Sequence, residues 1–237
     1  MRETKFRFKH FDCEHGRSSM KIGVDAVLLG AWADMTGKSI LDVGTGCGVI
    51  ALMCAQRNSD ARIKAIDIDP ESIKEAERNF QRSPWSSRLC SYQLSYESVV
   101  NESFDLIISN PPYFNSGIEH PDSSRLIARH QSVLNPAFLL IHGSDLLNER
   151  GRISLIVPYG QKEELLKTAQ LAGLTLRRAC KVKGHFNAPF KRIMMEFYKG
   201  EIQHNFDLQI EELYLEDPIG TPSYQYRALC KDFYLKF

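Results

Sequence analysis

The chain has 237 residues, 43% hydrophobic and 25% charged, with a formal net charge of +1. That length buries one substantial core, and the near-neutral balance excludes a global attraction to polyanions. Charges throughout the first twenty residues exclude the apolar run of a signal peptide, no later stretch has the apolar length of a membrane span, and the six scattered cysteines have no metal-ligand spacing. A reduced, metal-free, cytoplasmic monomer is the expectation. No Gly/Ser/Pro-rich linker divides the chain, so one domain is expected over 1–237: a basic extension and capping helix over 1–38, a core over 39–200 and a C-terminal extension over 201–237.

In chain order, residues 1–21 carry six basic side chains (Arg2, Lys5, Arg7, Lys9, Arg17, Lys21) against three acids. They are a candidate grip for a polyanion, with ordinary surface charge as the alternative. Gly23 to Asp34 reads as a helix leading into the first strand. From Ser39, short apolar runs alternate with amphipathic ones: SILDV, VIALMCAQR, RIKAID and PESIKEAERNFQR, then RLCSYQL, FDLIISN, PAFLLIHGSDLLNE, RISLIVP and QKEELLKTAQLAG. Alternation of this kind predicts an α/β, Rossmann-like fold, a mostly parallel seven-stranded sheet with helices on both faces.

LTLRRACKV and KRIMMEFYK are joined only by KGHFNAPF, which suits a hairpin and finishes the sheet with an antiparallel strand. Between 174 and 199 seven basic residues, Lys183, Lys191 and Arg192 among them, face one acid, with Phe186, Phe190 and Phe197 interleaved, a second candidate grip for RNA with ordinary surface charge as the alternative. From 201 to 217 the sign inverts, with six acids and no Lys or Arg. The tail 224–237 is expected to pack back as a short helix.

Asp42-Val43-Gly44-Thr45-Gly46-Cys47-Gly48 stands where a strand turns into a helix, and its glycines permit close backbone approach to a ligand. An acid two residues ahead of a GxGxG turn favours a cationic cofactor, S-adenosylmethionine, over the pyrophosphate of a dinucleotide. The next strand ends in Asp67-Ile68, about 20 residues on, where an acid accepts both ribose hydroxyls. Asp69, before Pro70, reads as a helix N-cap. At the end of the third strand Ser95 and Tyr96 are candidates for contact with the cofactor's adenine, Tyr96 by stacking; a core-and-turn role is the alternative.

The fourth strand runs into Asn110-Pro111-Pro112-Tyr113-Phe114. An exocyclic amine is a poor nucleophile because its lone pair is delocalised, so an enzyme must hold it with acceptors on its hydrogens. The Asn110 side-chain oxygen and the Pro111 carbonyl supply two such acceptors, and Tyr113 and Phe114 supply rings for stacking.

With these motifs the chain resembles the class I S-adenosylmethionine-dependent methyltransferases that carry Asn-Pro-Pro-Tyr. Within them it is similar to the bacterial tRNA1(Val) adenine-N6 methyltransferases, through FRFKHF, MKIGVDAVLLGAWA, ILDVGTGCGVIALMCAQR, ISNPPYF, RLIARH, KRIMMEF and ALCKDFYLKF. The resemblance implies methylation of adenosine 37 of a tRNA. It assigns Asn110 to Tyr113 to the target amine, and Asp42, Gly44, Gly46 and Asp67 to the cofactor. Asp25 is either a cap on the methionine end of the cofactor or a helix-start cap. Arg125, Arg129 and His130, in the loop after the motif, are candidates for clamping RNA. Competing readings are methylation of a glutamine amide in a release factor, methylation of adenine in DNA, and a non-catalytic RNA-binding protein on the same fold.

Overall fold

The central strands form because they are apolar on both faces. In SILDV all but Ser39 and in FDLIIS all but Asp105 are buried, the pattern of parallel strands covered by helices on each side. The computed structural model describes residues 5–16, 21–113, 134–200 and 208–237. In chain order these form β1 (Lys5–Arg7), β2 (Asp12–Glu14), α1 (Val24–Trp32), β3 (Ser39–Val43), α2 (Val49–Arg57), β4 (Arg62–Asp67), α3 (Pro70–Gln81), β5 (Leu89–Gln93) and β6 (Phe104–Ser109). Next come α4 (Pro136–Leu146), β7 (Leu147–Pro158), α5 (Lys162–Leu171), β8 (Leu174–His185), β9 (Arg192–Lys199), β10 (Gln209–Glu216) and α6 (Tyr224–Cys230).

The main sheet has the order β10-β8-β9-β7-β6-β3-β4-β5. Only β9 runs against its neighbours, pairing antiparallel with both β7 and β8. The expected seven strands are therefore present, and β10 adds an eighth, parallel to β8 at the edge. That strand was not foreseen: among its eight residues only Leu213 is buried, so QIEELYLE reads as a solvated segment. It docks through its backbone and through cross-strand charge, with Glu212 opposite Lys181 and the two ion-paired at 3.2 Å.

Alternating side chains divide the core in two. Ile40, Leu106 and Ile108 face the side covered by α1, α2 and α3. Leu41 and Ile107 face α4 and α5. Each such side chain, fully buried, contributes about 1.5–3 kcal/mol. The chain first steps from β3 outward to β4 and β5, then returns to the other side of β3 as β6, so the order reverses between β3 and β6. Ligands bind at such a switch, outside the carboxyl ends of the strands.

In the middle of β7, a buried polar group ties the segment after α1 to the sheet. Glu196, fully buried on β9, accepts from the Ser154 hydroxyl at 2.6 Å and the Asp34 N–H at 3.0 Å, and pairs with Arg178 at 3.5 Å. The terminal segments meet as well. The Lys9 N–H donates to the Phe233 carbonyl at 2.9 Å, and α6, capped by the Ser223 hydroxyl at 3.1 Å, packs back as the tail pattern implied. Among the described residues no helix is long and apolar enough to cross a membrane. All six cysteines are free thiols.

Candidate active site

The turn after β3 needs glycine: Gly44, Gly46 and Gly48 have φ of 69°, 54° and 84°, which other residues adopt only under strain. Asp42 is fully buried beneath it. Its Oδ2 accepts from the Thr45 hydroxyl at 2.6 Å and the Ala51 N–H at 3.2 Å, so the acid holds the turn in shape. Burial pushes its carboxyl up to about 7. Its Oδ1 is buried with no hydrogen-bond partner among the described residues. A β-carbon on Gly46 would meet nothing within 4 Å, which leaves room for a ligand against the backbone. An orphaned carboxylate oxygen beside an open glycine backbone fits a ligand that brings a cationic donor, as the amino-acid end of S-adenosylmethionine does.

Asp67 ends β4 as expected, and its carboxylate accepts from the Gly46 N–H at 2.9 Å and the Asp69 N–H at 3.0 Å. Asp67 thus fastens the glycine turn, and spare lone pairs remain on both of its oxygens. Ile68, beside it, is 56% exposed, an uncovered apolar side chain. Asp69 is the N-cap of α3, accepting from the Glu71 and Ser72 N–H groups.

Tyr96 corrects one expectation. It is 6% exposed, its hydroxyl donates to the Leu139 carbonyl at 3.2 Å, and its ring packs edge-on against Phe138 and His142. The core-and-turn alternative holds, because an aromatic ring so close to a strand end gains more from burial than from lying open. Ser95 remains at the surface of that turn, its hydroxyl 2.8 Å from that of Ser98.

Asn110 and Pro111 continue directly from β6. Pro111 is buried, while Asn110, Pro112 and Tyr113 are half-buried, so the amide is not locked in the core. The Tyr113 hydroxyl donates to Asp25 Oδ2 at 2.8 Å and lies 3.3 Å from Asn110 Oδ1. Burial and the Asp25 carboxylate push the phenol well above its ordinary range, so it stays a neutral donor.

Asp25 is not the helix-start cap that was one of its two expected roles. The N-cap of α1 is Gly23, with no side-chain cap, and the Asp25 carboxylate turns instead to Tyr113 and to the Arg192 Nε–H at 2.9 Å. Arg192 was expected among the RNA-gripping cations; its guanidinium lies over the Tyr113 ring, 4.4 Å from the centroid.

The remaining basic candidates are scattered. Lys5 pairs with Asp12 at 2.5 Å, Arg7 is exposed on β1, and Lys9 donates to the Lys231 and Phe237 carbonyls. Lys183 lies over the rings of Phe186 and Phe190, at 5.0 Å from each, and Lys191 is exposed. Because β10 lies along β8, the acids set apart in sequence stand beside the bases in space. Phe114, Arg125, Arg129 and His130 lie outside the described residues. Among the described residues no cluster of His, Cys, Asp or Glu suits a metal ion.

Residues 18–149 match the family model described as the methyltransferase small domain. A predicted O-methyltransferase from Agrobacterium tumefaciens shares the fold, with a TM-score of 0.64 and 17% identity over 88% of this chain and 96% of that one. A tRNA1(Val) (adenine(37)-N6)-methyltransferase of Vibrio vulnificus is 39% identical, covering 98% of this chain and 95% of that protein. One of Parabacteroides distasonis is 40% identical over the whole of both chains. Likeness at 17% identity speaks only for architecture; matches at 39% and 40% over almost every residue speak for descent, and by them the chain belongs to the tRNA1(Val) (adenine(37)-N6)-methyltransferase family.

Proposed function

We propose that the chain methylates the exocyclic N6 of adenosine 37 in tRNA1(Val), with S-adenosylmethionine as the donor, and that it works in the cytoplasm as a monomer. The observation that carries this reading is the adjacency of two strand ends. β3, which leads into the glycine turn, pairs directly with β6, which leads into Asn110 to Tyr113. A cofactor cradle and an acceptor-rich loop therefore open into one crevice.

When bound, the cofactor supplies a methyl group made electrophilic by a positively charged sulfur. Asp42 and the glycine turn bind its amino-acid end, Asp67 its ribose, and Ile68 and the Ser95 turn flank its adenine. The target amine donates one hydrogen to Asn110 Oδ1 and one to the Pro111 carbonyl, which draws the nitrogen toward pyramidal geometry and frees its lone pair. Asn110 Oδ1 already receives a long bond from Tyr113, at 3.3 Å. A carbonyl oxygen has a second lone pair for the amine. Tyr113 stacks on the extruded base, an interaction worth roughly 1–3 kcal/mol. As the nitrogen–carbon bond formed, the carbon–sulfur bond would break with its electron pair going to sulfur, S-adenosylhomocysteine would leave as a neutral thioether, and one N–H proton would pass to solvent. The protein's contribution is chiefly positioning.

The experiment is methyl transfer from labelled S-adenosylmethionine to tRNA from a strain lacking the enzyme, followed by mapping of the labelled nucleoside. Label on N6 of adenosine 37 is expected. Tight cofactor binding without transfer to any tRNA would move the substrate to a side-chain amide.

A further inference from the structure

Three segments far apart in the chain converge on one aromatic ring. Asp25 comes from the first turn of α1, Tyr113 from the loop after β6, and Arg192 from the first residue of β9. Asp25 Oδ2 accepts from both the Tyr113 hydroxyl and the Arg192 Nε–H, at 2.8 and 2.9 Å. The guanidinium closes the circuit by lying over the ring. We propose that Asp25 and Arg192 are positioning residues for Tyr113: the carboxylate fixes the tilt of the ring by its hydroxyl, and the guanidinium occupies one ring face, leaving the other for the target base. The inference rests on the reading of Asn110 to Tyr113 as the target-base site.

The arrangement does two things that a tyrosine alone would not. A phenol on a loop rotates about its Cα–Cβ bond, and every misplaced rotamer moves the base relative to the acceptors; anchoring the hydroxyl to a helix removes that freedom. The Tyr113 hydroxyl also reaches Asn110 Oδ1, so the same bond network sets the amide that holds the amine. On the covered face, a cation over the ring excludes a second base and limits stacking to one nucleotide. Arg192 can hold this place because β9 runs antiparallel to β7. Its first residue, opposite Pro158, thereby lies at the carboxyl edge beside Tyr113.

The test is a double-mutant cycle on the full chain between Asp25→Ala and Tyr113→Phe, with kcat and KM for tRNA, and cofactor affinity by calorimetry. Loss of positioning is expected to lower kcat by about 10- to 100-fold in Asp25→Ala, with cofactor affinity unchanged. In the Tyr113→Phe background, which lacks the hydroxyl, Asp25→Ala should then cost clearly less than in the wild type, what remains being the release of Arg192. Arg192→Met, which keeps bulk and removes the cation, should lower kcat similarly and serves if Asp25→Ala does not fold. Independent, multiplying losses in the cycle would overturn the proposal. So would normal kcat in both Asp25→Ala and Arg192→Met, or a loss of cofactor affinity large enough to account for the effect. Normal turnover by Tyr113→Ala is a different failure, because it would remove the target-base reading itself.

Discussion

The Ser109 hydroxyl donates to the Val43 carbonyl at 2.8 Å. These are the last residues of β6 and β3, so one buried bond joins the strand ends from which the Asn110 loop and the glycine turn depart. A slip of either strand would break it, and would move donor cradle and acceptor loop apart together.

Asn110→Ala removes one of the two acceptors for the target amine. Turnover should fall on the order of 100-fold or more, by analogy with deletion of a single preorganised hydrogen-bonding group. Cofactor affinity measured by calorimetry should be unaltered, and near-normal turnover would place the chemistry elsewhere.

Asp42 should make the ligand-free protein less stable as pH rises. Its carboxyl, near 3.8 in the unfolded chain, is pushed up to about 7 by burial. The folded state therefore binds the extra proton across that window; the stabilisation is fully present below 3.8 and is lost as pH rises through about 7. The ceiling is about 4 kcal/mol. Melting temperature across pH 4 to 8 reads it, and Asp42→Asn should flatten the profile. A cationic ligand group on Oδ1 favours the ionised form, so cofactor binding near pH 7 should release protons, seen as a buffer-dependent heat. A wild-type melting profile independent of pH would refute the assignment.

Gly48→Ala should destabilise the protein and weaken cofactor binding together. Its φ is +84°, and a β-carbon there would stand 2.5 Å from the Phe80 ring and 3.2 Å from the Ala76 β-carbon. Strain and overpacking amount to roughly 2–4 kcal/mol. Urea denaturation checks the first effect and calorimetry the second; an unshifted midpoint would show that the turn yields freely.

Much of this was legible in the sequence, for physical reasons. The glycine turn is readable because positive φ is a local demand, and Asp69 because N-capping is decided within one turn of helix. The parallel sheet covered by helices on both faces follows from alternating elements. Asp25 and Arg192 were not readable as partners of Tyr113, since they lie 88 residues before it and 79 after it and meet only once the register of β9 is set. β10 was hidden because acidic alternation with one buried leucine resembles solvated chain. Tyr96 misled because an aromatic after a strand serves a core as well as a ligand.

Glu196→Ala should be the most destabilising of these substitutions without touching the site. It would leave the Ser154 hydroxyl, the Asp34 N–H and the Arg178 guanidinium without their shared buried acceptor. A loss of about 3–5 kcal/mol is expected, read as a fall in the urea midpoint. A change under about 1 kcal/mol would mean that water replaces the carboxylate.

The acidic edge strand also governs how the protein responds to ionic strength. Counter-ions are released from a nucleic acid only by cations that neutralise its phosphates, and the slope of log affinity against log salt counts them. Lys181, already paired with Glu212 on β10, enters that count only by giving up its partner. The slope for tRNA should therefore be shallower than the seven basic residues between 174 and 199 imply, and trimming acids from β10 should steepen it.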